Sequence, residues 1–143
     1  MKLTNTQNVK SKSGMTLLEL TVVILVLLSL ISILFIGARA WKKGSDRAAN
    51  ILNIRNAQQA MRGHANVRGL PETTGACTET DIYGTGGTGT GGYLRKPATP
   101  ATDITSYTGG TTVPLVGTLW LTVVYGGTGS TDFAPDAATY ADW

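Results

Sequence analysis

A continuous apolar segment near the N-terminus constrains this chain more than any other feature. Residues 20–36 read LTVVILVLLSLISILFI, seventeen positions without a charge. A bilayer hydrocarbon core needs about 20 apolar residues at the helical rise, and the uncharged neighbours at 17–18 and 37–38 supply the remainder. The segment is apolar on every side, and the 75 residues after Arg68 are too few to bury it as a core helix. The sequence therefore predicts a membrane-spanning helix.

Charge is divided unevenly along the chain. Residues 1–68 carry ten basic and two acidic side chains, whereas residues 69–143 carry two basic and seven acidic ones. The basic side chains flank the apolar segment and are not interleaved with aromatic residues on one face, so we expect no nucleic-acid binding. One His and one Cys exclude a Cys/His zinc site and an internal disulfide, and a Ser-His-Asp triad would rest on His64 alone. We therefore predict no catalytic residues and no enzyme activity.

An N-terminal apolar segment of this kind has three interpretations: a removed secretory signal, a permanent single-pass anchor, or a signal that is cut ahead of the apolar residues. Residues 38–40, Ala-Arg-Ala, formally match a secretory cleavage site that would leave Trp41 as the first residue. The apolar segment is longer than the usual secretory core of about 7–15 residues. Basic residues lie on both sides of it, so the positive-inside rule does not orient the helix.

The residues just before the apolar segment distinguish these interpretations. Residues 12–19 read KSGMTLLE, which resembles the signature of type IV prepilins and type II secretion pseudopilins. A basic leader, a glycine, Thr-Leu-Leu-Glu and an apolar run follow one another in this order, as they do in that family. The sequence departs from the family in having Met15 where Phe is more frequent, and in lacking a proline within the apolar helix.

The resemblance implies a processing and assembly route. A membrane-embedded prepilin peptidase would cut after Gly14 on the cytoplasmic side, and the new N-terminal residue, Met15, would be N-methylated. The chain would cross the cytoplasmic membrane once, with its N-terminus inside and its C-terminal domain outside. It would polymerise through its N-terminal helix into a homo-oligomeric filament, with an inner-membrane assembly platform and other minor pilins or pseudopilins as partners. A secretion pseudopilus in the periplasm and a pilus at the cell surface both remain open, as do a major and a minor subunit.

Glu19 lies inside the predicted membrane helix. A charge at the centre of such a helix costs about 2.5–3.5 kcal/mol on insertion scales, so an ionisable residue there is treated as functional by default. No Lys or Arg stands three or four positions away. The α-amino group of Met15 in a neighbouring subunit, which exists only after cleavage, is one partner for assembly. The alternative is that Glu19 extends to the lipid headgroups from near the helix end.

Beyond the membrane segment the helical pattern continues. A narrow, mostly apolar stripe recurs at helical spacing at Ile51, Ile54, Gln58, Met61 and Ala65, whereas Asn53, Asn56 and Gln59 are predicted to point away from it. The stripe indicates an amphipathic helix that lies against a small domain.

Residues 69–143 are rich in Gly and Thr and predict short strands and loops. The best strand is residues 118–125, TLWLTVVY, with partners near 93–95 and 107–113, which makes a sheet of about three strands. The predicted fold class is α+β: a long N-terminal helix packed against a small antiparallel sheet with long Gly/Thr-rich loops. We expect a leader at 1–14, an assembly helix at 15–40, its amphipathic outer half at 41–68 and a β domain at 69–143.

The C-terminal half carries a second, looser resemblance, to secretion-type major pseudopilins. It rests on residues 82–84, 93–97 and 106–109, and residues 126–143 have no counterpart in it. Some major pseudopilins hold calcium in a C-terminal loop, so Asp132, Asp136 and Asp142 are candidate calcium ligands. Their spacing fits no defined calcium loop, and a solvated acidic tail is the simpler interpretation. No other cofactor is expected.

Three further sequence features have simple interpretations. Residues 84–89, GTGGTG, match the dinucleotide-binding pattern, but they follow no long strand and open no helix, so we expect a solvent-facing loop. Cys77 is expected to be an unpaired small side chain, with pairing between chains as the alternative. His64 is expected on the helix surface.

Overall fold

A computed structural model describes residue 14 and residues 16–127 and 130–143. Its regular elements are α1 (Leu17–Arg68), α2 (Glu79–Tyr83), β1 (Ile104–Gly109) and β2 (Leu121–Tyr125), with 3-10 turns at Thr85–Gly87, Ser130–Phe133 and Ala137–Thr139. The chain divides into two compact units, Met1–Ala40 and Trp41–Trp143, which we call the N-terminal and C-terminal units. The predicted α+β fold class is confirmed, because a long N-terminal helix packs on a small antiparallel sheet within the C-terminal unit.

The part of α1 within the C-terminal unit buries one face. Its buried residues recur every three or four positions and are Asn50, Ile54, Ala57, Gln58, Met61, His64 and Ala65. Side chains at this spacing stand above one another on one side of a helix. The predicted stripe is therefore confirmed at positions 54, 58, 61 and 65, while Ile51 is half-buried.

Two helix side chains lie deeper than the sequence predicts. His64, expected on the surface, is 3% exposed. Asn53, expected to point away from the stripe, is half-buried, and its Nδ2 donates to the Tyr107 hydroxyl over 3.3 Å. Asn56 and Gln59 are exposed as predicted. Helical spacing identifies the centre of a buried face, whereas its width depends on how far the packed segments wrap around the helix.

A buried amide connects α1 to the sheet and to the C-terminal segment. Nδ2 of Asn50 donates to the carbonyl oxygen of Phe133 over 2.8 Å, and the Tyr107 hydroxyl donates to Oδ1 of Asn50 over 2.8 Å. Asn50 is 0% exposed, so these bonds satisfy an amide that would otherwise be costly to bury.

The sheet has two strands among the described residues, not the three that the sequence predicts. β1 and β2 are antiparallel, with Tyr107 opposite Val123 and Gly109 opposite Leu121. Residues 93–95 form no strand, because the N–H groups of Tyr93 and Leu94 both donate to the carbonyl oxygen of Ile82, over 2.8 and 2.9 Å. These residues are thus attached to the end of α2.

The second strand starts at Leu121, later than the predicted residue 118, for a related reason. Nε2 of Gln58 donates to the Thr118 carbonyl oxygen over 3.1 Å, and the Trp120 N–H donates to Oε1 of Gln58 over 2.9 Å. A side chain of α1 therefore takes the backbone hydrogen bonds that a neighbouring strand would otherwise make.

The core forms between α1, α2 and the sheet. Its largest fully buried side chains include Trp120, Tyr83, Ile54, Met61, Ile82, Ile104 and Leu121. Glycine at position 109 lets the end of β1 approach Trp120 closely, since a Cβ at Gly109 would lie 2.6 Å from the Trp120 ring. The indole Nε1 donates to the Cys77 carbonyl oxygen over 3.3 Å, which satisfies the polar edge of this ring.

Candidate functional site

The start of α1 carries the residues of the predicted processing site. Gly14 is exposed and lies outside the helix, three residues before its first residue, Leu17. Among the described residues, nothing beyond its chain neighbours would lie within 4 Å of a Cβ at Gly14. Met15 and the leader at 1–13 lie outside the described residues, so the predicted cleavage and methylation at Met15 stay predictions. Gly14, the residue before the predicted cut, is therefore itself accessible and non-helical.

Thr16 and Glu19 form a capping box at this helix end. Oε2 of Glu19 accepts the Thr16 N–H over 2.9 Å and the Thr16 hydroxyl over 3.1 Å, while the Glu19 N–H donates to Oγ1 of Thr16 over 3.3 Å. Such reciprocal bonds satisfy backbone donors that the first helical turn leaves free, and a carboxylate there also interacts favourably with the helix dipole. This capping role was not predicted above, although the Thr-x-x-Glu spacing at 16–19 is its known sequence signal.

The helix that follows is long and apolar enough to cross a membrane, by length and composition. The apolar residues 20–36 of this helix are all exposed in the structure. The three hydroxyl side chains of its apolar residues 20–36 all bond within the helix: Thr21 donates to Leu18, Ser29 to Val26 and Ser32 to Leu28, over 2.7–2.8 Å. Lipid offers no hydrogen-bonding partners, so this internal satisfaction suits a helix surrounded by acyl chains.

The three candidate calcium ligands have different surroundings. Asp132 pairs with Lys43 of α1, and Oδ1 of Asp136 accepts the Ala138 N–H over 3.2 Å at the start of a 3-10 turn. Asp142 lies instead on a groove beside Arg55 and Arg62. Within the described residues, no three His, Cys, Asp or Glu side chains come together as a metal-binding group. Calcium binding by these aspartates stays untested.

Cys77 is fully buried, and burial, with a smaller effect of the Asp81 charge, raises the pKa of its thiol to about 11. A thiol with this pKa stays protonated at neutral pH, and the thiolate is the reactive form. We expect a thiol reagent such as DTNB to label the native protein slowly and the denatured protein at the rate of a free cysteine. Rapid labelling of the native protein would contradict this assignment.

Asp81 at the start of α2 makes the stability of the C-terminal unit depend on pH. Its Oδ2 accepts the hydroxyl and the N–H of Thr78 over 2.7 and 2.8 Å, and these bonds lower the pKa of Asp81 below its usual value. A carboxylate whose pKa is lower in the folded state stabilises the fold at pH values above its unfolded pKa of about 4. This stabilisation is lost as the pH falls through the folded pKa. We expect the melting temperature of the wild-type protein to fall more on acidification below about pH 4 than that of Asp81→Asn. Equal decreases would show that Asp81 makes no such contribution.

Comparisons with family models, with curated proteins and with solved structures find no match for this chain. A function for the chain is therefore proposed from its own residues: the accessible Gly14, the capping box at 16–19 and the apolar helix that follows them.

Proposed function

We propose that this protein is the structural subunit of a filament of the type IV pilus or type II secretion pseudopilus kind. The observation that carries the proposal is the order of features at the N-terminus. An accessible glycine, Gly14, is followed within three residues by a helix whose first turn holds Glu19 and whose next seventeen positions carry no charge. This order suits a chain that is cut before its helix and then packs that helix among others.

In the proposed route the chain inserts as a prepilin, with the leader at 1–14 in the cytoplasm. Prepilin peptidase hydrolyses the peptide bond between Gly14 and Met15, and the new amino group of Met15 is methylated. The inner-membrane assembly platform then moves the subunit from the membrane into the filament, with other minor pilins or pseudopilins as further partners. The apolar side chains of the helix stay in contact with apolar surroundings throughout, so the transfer exposes little of them to water.

Glu19 supplies the specific contact of the proposed assembly. Its capping-box partners are neutral, and Glu19 forms no ion pair within the described residues, so the carboxylate is free to pair with a cation of another subunit. The Met15 amine of a neighbouring subunit is a cation that only cleaved chains possess. Pairing the two would fix the axial position of each new subunit and would restrict assembly to processed chains.

Charge balance supports dense packing of the proposed subunits. Removing residues 1–14 removes three lysines, which leaves nine basic and nine acidic side chains. Molecules with no net charge repel one another little when they are brought close. The cleaved chain is thus better suited to stacking than the uncleaved one.

The capping box favours one alternative, a single-pass anchor that does not polymerise. In that case the only role of Glu19 is to cap the start of the helix, and the C-terminal unit is a small binding domain held at the membrane. A secreted domain that begins at Trp41 is the other alternative that the sequence leaves open. These alternatives differ from the filament subunit in where the mature chain begins.

The decisive experiment is intact-mass and N-terminal analysis of protein extracted from membranes of cells that contain a prepilin peptidase. A mature chain that starts at methylated Met15 supports the proposal. A chain that starts at Met1 would leave a plain anchor, and one that starts at Trp41 would mean a secreted domain. A Gly14→Val variant is the matched control, since a branched side chain at the cut should leave the leader attached.

A further inference from the structure

A pocket of about 350 Å³ lies in the C-terminal unit between the end of α1, α2 and the glycine-rich loop at 84–92. Its volume is at the lower end of the range of small-molecule sites, about 300–1,000 Å³. The residues that give it chemical character are His64, Arg68, Asp81, Thr85, Thr90 and Tyr93. Neither the membrane helix nor the proposed assembly contact uses any of them.

The charged groups of this pocket are of opposite sign. Both bonds from Thr78 to Asp81 go to Oδ2, so among the described residues Oδ1 accepts no hydrogen bond. Arg68, the last residue of α1, forms no ion pair within the described part of the chain. The pocket therefore offers a free acceptor and several free donors, and it attracts neither anions nor cations as such.

His64 forms part of the wall of the pocket. The residue is 3% exposed, and its Nδ1 is buried without a partner among the described residues. The Tyr93 ring stands nearly perpendicular to the imidazole, with 5.5 Å between the ring centres, and is half exposed. Because Nδ1 is itself inaccessible, His64 contributes to the pocket as a fixed wall against which the Tyr93 ring packs, and not as a hydrogen-bonding group.

The glycine-rich loop holds its threonines in fixed positions. The N–H of Gly89 donates to the Tyr83 carbonyl oxygen over 2.8 Å, and the N–H of Thr85 donates to the Thr90 carbonyl oxygen over 3.3 Å. Gly84 has φ +70°, and a Cβ there would lie 2.3 Å from the Thr90 oxygen, so this close approach requires glycine. A loop closed in this way loses little freedom when a ligand binds.

We propose that this pocket binds a neutral sugar ring, either a free monosaccharide or one unit of a polysaccharide. Each sugar hydroxyl both donates and accepts, which matches a carboxylate oxygen, a guanidinium and two threonine hydroxyls around one cavity. The C–H face of the ring is apolar and fits against the half-exposed Tyr93. A neutral ligand is also repelled by neither the positive charge of Arg68 nor the negative charge of Asp81. This inference does not depend on filament assembly.

Saturation-transfer difference NMR on the full-length protein tests the proposal. The protein is kept in a detergent without a sugar headgroup, and D-glucose, D-galactose, D-mannose and N-acetyl-D-glucosamine are the probes at millimolar concentration. We expect saturation transfer to at least one sugar, strongest at the protons of its C–H face. No transfer to any of the four would overturn the proposal.

Exposed positions provide variants that leave the core intact. Tyr93→Ala removes the aromatic surface, and Arg68→Gln removes the guanidinium. Each substitution should lower the affinity for the sugar about tenfold. Arg55→Gln is the matched control, because it makes the same change on the same helix but at a separate groove. Binding that survives both pocket variants, or that Arg55→Gln weakens equally, would place the sugar elsewhere and overturn the assignment.

Discussion

Replacing Glu19 by glutamine is expected to leave the proposed cleavage after Gly14 intact and to abolish incorporation of the chain into the proposed filament. Glutamine can accept the same hydrogen bonds from Thr16, so the capping box and the start of α1 are preserved. What the variant loses is the negative charge. Breaking a buried charge pair by removing one partner costs about 3–5 kcal/mol, which corresponds to a loss of at least about a hundredfold in affinity per subunit.

The measurement is the amount of subunit in filaments sheared from cells, with the N-terminus of the membrane-bound protein read in parallel. Thr16→Val is the matched control, because it removes the capping hydroxyl and keeps the carboxylate, and it should still enter filaments. If Glu19→Gln assembles normally while Thr16→Val does not, Glu19 serves the helix end and the pairing with Met15 is wrong. If neither affects assembly, the charge has no role in it.

The second large effect is expected from Gln58→Leu, which should destabilise the C-terminal unit by about 2–4 kcal/mol, because two backbone groups lose their partner. The one that is buried costs about 1–3 kcal/mol when left unpaired, and the one that is partly buried loses a bond worth about 1 kcal/mol. Those groups are the Trp120 N–H and the Thr118 carbonyl oxygen, which both bond to the Gln58 amide. Leucine has a volume similar to that of glutamine, so the packing is largely kept. The decrease in the free energy of unfolding therefore reports on the lost hydrogen bonds. For a unit of this size, even the lower value lowers the melting temperature by about 10 °C.

Gln59→Leu is the matched control for this prediction. It makes the same substitution at the next position of α1, where the side chain is exposed. Thermal unfolding of the full chain in detergent, followed by near-UV circular dichroism, reports on the aromatic core without a large signal from the apolar part of α1. If the two variants melt within a few degrees of each other, the Gln58 amide does not connect α1 to the second strand as the structure indicates.

Local patterns in the sequence were sufficient for the helix and for the centre of its buried face. Ile54, Met61 and Ala65 were recognised because helical spacing alone places them on one side. The existence of an antiparallel strand within 118–125 followed from its β-branched and aromatic residues.

The errors fall where a side chain or backbone group finds its partner far along the chain. Asn50 bonds to Phe133, 83 positions away, and no local pattern marks that contact. The sequence does not predict that His64 is buried, because a single polar residue in a helix carries no sign of what covers it. Residues 93–95 were assigned to a strand because their composition permits one, whereas their N–H groups bond to the end of α2.

By itself, the sequence determined the membrane-length helix, the position of Glu19 within it and the amphipathic continuation, since these depend on composition and on the fixed geometry of an α-helix. Only the tertiary structure decided that the sheet has two described strands, that Gln58 takes over the backbone bonds of residues 118 and 120, and that His64 lies beside a pocket. The physical reason is that hydrogen bonds between distant segments depend on which of several competing partners comes within reach, and that outcome is settled only when the whole unit packs together.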